Sequence, residues 1–146
     1  MVDSHLAVVL LVDDRGWLLL QERDEHAPRA ANQWGMVGGH VEPGEDFAPA
    51  AYREVTEETG VVLDEGALIL WRDAEYTYPD GHHGRYHVYA GRVDGLTDAD
   101  IVVGEGRRIV FVDPHTVLDL DLAGSSRHFL PEFLDSDLYT TLRSAL

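Results

Sequence analysis

The sequence predicts an α/β domain with a mixed β-sheet and helices packed on its faces, and three observations carry that expectation. Short apolar runs with strand-like bounds recur along the 146 residues, and helix-forming stretches occur only twice. The order runs hairpin, helix, strands, helix, not a repeated strand–helix–strand crossover. An apolar fraction of 45% matches a globular core. The length fits one domain, 1–146, which at this size buries about two-thirds of its unfolded surface without a staple.

Leu6 to Val12 is an unbroken apolar run, too short to span a bilayer and lacking the basic flank and cleavage site of a leader. It reads as a buried strand. The run stops at Asp13-Asp14-Arg15-Gly16 and resumes at Trp17 to Gln21, which predicts a β-hairpin whose second strand Arg23 closes. A polar loop with Pro28 then leads from Asp24 to Gln33 into Trp34-Gly35-Met36-Val37-Gly38-Gly39. Two adjacent glycines imply that backbone comes close to something there.

A helix is predicted over Phe47 to Thr59, with Asp46 as N-cap, Pro49 in the first turn and Gly60 as a left-handed cap. Ala48, Ala51 and Val55 give it an apolar stripe. Strands near 68–78 and 85–93 flank Pro79-Asp80-Gly81-His82-His83-Gly84, a second hairpin. Arg108 to Val112 is a further strand, and Pro114 opens a turn or short helix. From Arg127 to Ala145, residues Phe129, Leu130, Phe133, Leu134, Leu138 and Leu142 follow helical spacing, predicting one amphipathic helix interrupted or started at Pro131.

The formal charge is −16, from 27 Asp and Glu against 11 basic residues. Such a chain is repelled by phosphate backbones and anionic lipid heads, which argues against nucleic-acid polymers and membrane surfaces as partners. All 11 basic residues are Arg. Without lysine there is no Schiff-base chemistry and no Walker-type phosphate loop. Without cysteine there is no disulfide, thiolate nucleophile or Cys-ligated metal. With no targeting segment evident, a soluble, cytoplasmic protein is expected.

Glu54, Glu57 and Glu58 are three and four residues apart, so they share one helix face. A solvated acidic face is the ordinary reading of such a cluster. Two costs argue against it. Like charges at these spacings each destabilise by about 0.2–0.5 kcal/mol, and the acids sit in the last two turns, where the helix dipole disfavours anions. A divalent cation removes both penalties, and hard oxygen donors suit Mg²⁺, with Mn²⁺ as the other candidate.

These residues lie within Gly39-x5-Glu45-x7-Arg53-Glu54-Val55-x-Glu57-Glu58-x-Gly60-Val61, which resembles at every fixed position the signature of the Nudix (MutT-like) hydrolases. The preceding Trp34-Gly35 and the strand order extend the resemblance over most of the chain. It implies a Nudix-type α/β/α sandwich with a mixed β-sheet, and hydrolysis of a nucleoside diphosphate linked to another group. On this resemblance Glu57 and Glu58 are the main Mg²⁺ ligands, and Glu54 is either a third ligand or the base that deprotonates water. Glu45 resembles an outer ligand or helper, Arg53 the arginine that orients the glutamates, and Gly39 a residue whose carbonyl is a backbone metal ligand. Outside the signature, Glu105 resembles a family glutamate six residues before an aromatic, here Phe111, acting as a further ligand or base. Arg23 resembles an arginine used on a substrate phosphate. Val37 and His40 stand where the family often has proline and lysine, which bears on substrate preference and not on the fixed positions.

Metal ions neutralise pyrophosphate, polarise P–O bonds and lower the pKa of bound water, so an acidic protein can still take an anionic substrate. Selectivity is expected outside the signature. Trp34, Met36 and the segment Tyr76–Tyr89, with Arg85 and Tyr86, are the candidates for meeting base, sugar or phosphate. His82-His83 reads as an exposed hairpin tip. The reading is a Mg²⁺-dependent hydrolase of a pyrophosphate bond in a nucleotide sugar or (deoxy)nucleoside triphosphate, with a homodimer as a family tendency. The alternative is a non-catalytic nucleotide-binding or sensing module, a reading that usually accompanies a damaged signature.

Overall fold

A computed structural model describes residues 1–144. Its strands are β1 (Ser4–Asp13), β2 (Leu18–Glu22), β3 (Trp34–His40), β4 (Ile69–Thr77), β5 (His83–Val93) and β6 (Arg108–Val112). The helices are α1 (Phe47–Thr59), α2 (Gly124–Leu134) and α3 (Asp137–Ser144). All six strands form one sheet in the order β4-β5-β1-β3-β2-β6, antiparallel except for the parallel pair β1–β5. The mixed sheet is as expected.

β1 lies at the middle of the sheet, which explains its unbroken apolar sequence: it is buried on both faces. Ala7, Val9 and Leu11 pack with Val37, Ile109 and Phe111 beneath Ala50, Ala51 and Val55 of α1. Val8, Leu10 and Val12 pack with Leu18, Leu20 and Val88 beneath Phe129, Leu130 and Phe133 of α2 and Tyr139 and Leu142 of α3. Helix, sheet and helix pair make three layers. No helix among the described residues is long and apolar enough to cross a membrane.

Three local expectations are corrected. The first hairpin is only a corner: β1 and β2 pair at Val12↔Leu18, and β3 then enters between them, pairing with β1 from Val9↔Val37 to Leu6↔His40 and with β2 at Leu20↔Met36. Glycine permits the insertion. A Cβ at Gly38, whose φ is +145°, would lie 2.3 Å from the Ala7 carbonyl oxygen. Second, the inner stripe of α1 is Ala50, Ala51 and Val55, while Ala48 is exposed. Third, the C-terminal helix is two helices, and α2 begins at Gly124, ahead of Arg127. Pro131 lies inside α2 on its exposed side, and the break falls at Asp135-Ser136, where the Ser136 hydroxyl accepts the Tyr139 N–H at 3.1 Å. The end expected at Ala145 lies outside the described residues.

Candidate active site

α1 carries the carboxylates to the sheet because both its ends are fixed in sequence. Asp46 is the N-cap residue, and Gly60, at φ +75°, closes the helix with its N–H on the Thr56 carbonyl. Burying Ala51 and Val55 turns Glu54 and Glu58 toward β3. There the Gly38 N–H donates to Glu58 Oε2 at 2.9 Å. At Gly39 a Cβ would stand 2.7 Å from Glu54 Oε1, so the second glycine of the pair makes room for a carboxylate.

Arg53 is the hub of the cluster. Its Nε and Nη2 hold both oxygens of Glu45 at 2.8 and 2.9 Å, Nη1 donates to Glu54 and Glu57 at 3.0 Å each, and Nη2 also reaches the His40 carbonyl at 3.1 Å. With the Glu42 N–H added, this fork holds the Glu45 carboxyl down at about 2. Both Glu45 oxygens are therefore occupied by donors.

The other acids respond in the opposite sense. Burial pushes Glu58 up to about 8, reinforced by the charges of Glu54 and Glu105 and opposed by the Gly38 N–H. Burial raises Glu54 as well, against the pull of Arg53. Arg53, with a weaker pull from Arg23 on Glu58, does not compensate so many carboxylates. The donor set, all hard oxygen with excess negative charge, fits a divalent cation of the Mg²⁺ or Mn²⁺ type. Among the described residues, no three acidic or histidine side chains already converge into a closed metal cage. Mg²⁺ keeps several waters and does not require one.

Glu105 arrives from the loop 101–107, and with Glu54, Glu57 and Glu58 it lines a cavity of about 650 Å³. Leu6, Val8 and Met36 line the same cavity, as do Tyr78, Tyr86, Ser125 and Ser126. Arg23 lines it too, with its Nε bound to the Arg29 carbonyl at 3.0 Å. Tyr78 donates to Ser125 Oγ at 3.2 Å and lies 3.1 Å, hydroxyl to hydroxyl, from Tyr86.

Two expected substrate residues lie elsewhere. Arg85 and Tyr86 are neighbours on β5, so they point to opposite faces and only one can enter the cavity. Tyr86 does; Arg85 instead makes a two-pronged bond to Asp73 at 3.0 and 2.8 Å and lies over Phe47 on the α1 face. Trp34 is a core residue, 8% exposed, packed on the α2 side, and its backbone ties β3 to Asp121 and Ala123. The sequence reading missed Arg29, Ser125 and Ser126. Gly124-Ser125-Ser126 before an apolar helix was the available signal, since serine is favoured where helices begin.

Known proteins bear on this arrangement. The chain is 29% identical over 126 residues to the nucleoside triphosphatase NudI of Salmonella agona (strain SL483), a match covering 82% of this chain and 89% of that protein. It is 35% identical over 92 residues to the m7GpppN-mRNA hydrolase NUDT17 of Bos taurus, covering 56% of this chain but only 30% of that protein. The MutT NUDIX hydrolase structure from Burkholderia pseudomallei superposes with a TM-score of 0.69 at 26% identity, covering 88% of this chain and 95% of that one. Residues 3–133 match the NUDIX domain, and with that match, the six-stranded sandwich and the glutamates gathered against Gly38-Gly39, the chain belongs to the Nudix (MutT-like) hydrolase family.

Proposed function

We propose that this Nudix hydrolase cleaves a pyrophosphate bond in a nucleoside diphosphate derivative, a nucleotide sugar or a (deoxy)nucleoside triphosphate, with Mg²⁺ as cofactor and Mn²⁺ as substitute. One observation carries the reading: a single cavity of about 650 Å³ is lined both by a carboxylate cluster and by Leu6, Met36 and Tyr86, so a phosphate chain and a nucleoside find matching surfaces in one site. NudI, which the chain matches over most of both lengths, is named a nucleoside triphosphatase.

In this reading Glu57 and Glu58, with Glu54 and the Gly39 carbonyl, are the groups that would hold the metal, and the chemistry it would supply when bound is neutralisation of the phosphates and a lowered pKa for bound water. Arg53 orients Glu54 and Glu57 through one shared nitrogen while Glu45 fixes its fork from the other side. Glu54, its carboxyl raised by burial, is suited to accept the proton from attacking water, and Glu105, close enough for its charge to act on Glu54, is the second candidate. Arg23 meets a substrate phosphate, and Met36 and Tyr86 meet the nucleoside. A cytoplasmic setting supplies both magnesium and nucleotides.

The test is a panel of nucleoside triphosphates and nucleotide sugars incubated with and without Mg²⁺, with products separated by chromatography. Metal-dependent release of a nucleoside monophosphate is expected from at least one of them. Failure to turn over any diphosphate-linked compound would leave the chain a nucleotide-binding module. Hydrolysis in ¹⁸O-labelled water then identifies the phosphorus attacked.

A further inference from the structure

The loop 101–107 is held from two directions. On one side it caps the end of α1: the Val102 N–H donates to the Thr59 carbonyl at 2.9 Å and the Gly104 N–H to the Glu58 carbonyl at 2.8 Å. A Cβ at Gly104 would lie 2.1 Å from the Glu57 carbonyl oxygen, so only glycine allows this approach. At Gly106, φ +87°, a Cβ would meet the Glu22 carbonyl oxygen at 2.9 Å. Glu105 thus sits between two glycines that have no room for side chains.

On the other side stands Gln21, a polar residue 3% exposed in β2, following three fully buried leucines. Burying an amide costs free energy unless it is hydrogen-bonded. Gln21 Nε2 donates to the Glu105 carbonyl oxygen at 2.8 Å, across 84 positions of sequence. Leucine or valine would serve the core at this position without that cost. What the amide adds is a fixed backbone at Glu105.

We infer that Gln21 is a positioning residue: from β2 it holds the Glu105 backbone while α1 holds Gly104, and together they set the Glu105 carboxylate relative to Glu54 and Glu58. This rests on the proposed role of Glu105 as a ligand or base. Gln21 touches no part of the substrate in this scheme; it acts through Glu105 alone.

That restriction makes the inference testable by a double-mutant cycle with two readouts, turnover and Mn²⁺ binding by calorimetry. Gln21→Met keeps the volume and removes the donor. It is expected to lower kcat and weaken Mn²⁺ binding by about tenfold, the lower end of what outer-shell partners of metal ligands contribute, with nucleotide KM within about twofold. In a Glu105→Gln background the same substitution is expected to change neither quantity. Equal losses in both backgrounds would show a general structural role, and unchanged values in the wild-type background would show none; either overturns the inference. Should Gln21→Met fail to fold, Gln21→Leu, which also lacks the donor and suits the apolar surroundings, takes its place in the same cycle and must show the same dependence on Glu105. If the wild-type protein hydrolyses nothing, Mn²⁺ binding alone decides this inference. If Glu105→Gln keeps full turnover and full Mn²⁺ affinity, the inference fails while the pyrophosphohydrolase reading stands.

Discussion

Glu57 and Gly38 show how differently single residues contribute here. Glu57 is more than half exposed, and its one ion pair is with Arg53 at 3.0 Å. An exposed pair of this kind contributes about 0–1 kcal/mol, and removing the charge also relieves repulsion from Glu54 one turn back. Glu57→Gln is therefore expected to leave thermal unfolding of the metal-free protein unchanged or slightly raised, while turnover falls by about a hundredfold or more on the proposed role of Glu57 as a metal ligand. Unchanged turnover would remove Glu57 from the metal site. Gly38 is the reverse case. Ala at this position drives a methyl group into the Ala7 carbonyl and must adopt a φ of +145°, so Gly38→Ala is expected to cost about 3 kcal/mol or more in denaturant unfolding.

The same scale shows what the sequence made legible. The acidic signature could be read because its spacing is local: i, i+3 and i+4 positions share a face wherever the helix goes. The glycine pair could be read as a place of close approach, and the structure supplies the neighbours, Ala7 for Gly38 and Glu54 for Gly39. Arg85 was misplaced although strand alternation already held the answer, since it cannot share a face with Tyr86. Trp34 was misplaced because aromatic character does not distinguish a core residue from a stacking platform; burial decides, and burial is not local.

Elements were legible where their ends are marked and illegible where pairing is long-range. α1 starts after Asp46 as the sequence predicts, although the Asp46 side chain makes no capping bond, and it ends where the left-handed Gly60 closes it. The insertion of β3 between β1 and β2 has no local signal, since a turn of four residues predicts a hairpin whatever happens further along the strands. The α2–α3 break has a weak one, Ser136, masked by apolar spacing that continues through it. Contact between elements also predicts a pH response. α1 begins with Phe47, whose ring stacks on His87 of β5 at 3.6 Å and 16°. His87 Nε2 lies 3.2 Å from Asp73 Oδ2 without good hydrogen-bond alignment, and burial, with the nearby Arg85 charge, lowers the pKa of the ring against the pull of that carboxylate. The folded state thus favours neutral His87, while the unfolded chain takes up a proton near its ordinary value of about 6.5. This contribution is present above that value and is lost as pH falls through the depressed folded pKa. A His87→Phe variant, which keeps the stack and cannot titrate, is expected to gain in Tm relative to wild type as the pH drops from about 7 to 5. A constant difference across that range would exclude the linkage.

At the scale of the whole molecule, the signature is less than the site. Residues 39–61 hold five of the acidic and arginine side chains described, yet Glu105 and Gln21 come from strands and loops on either side, and the opposite cavity wall comes from β5 and α2. A fragment ending before β5 keeps every signature residue. It is expected to show no cooperative unfolding transition by circular dichroism and no turnover, because β1 loses its ten-residue parallel partner and both cores lose a wall. A folded, active fragment would show that β5 is dispensable.

The parallel pairing of β1 with β5 has a further consequence, in time. Each of its pairs joins positions eighty apart, from Ser4↔Gly84 to Asp13↔Val93, so the first strand made is among the last completed. Non-local pairing of this sort is slow, because loop-closure entropy is lost before the contact is gained. As the chain emerges from the ribosome, a highly apolar segment waits for more than half the protein to be synthesised. During that interval β3 can cover one of its edges but the β5 side stays open, the condition under which a nascent chain most needs a chaperone or the surrounding acidic charge to keep it from its neighbours.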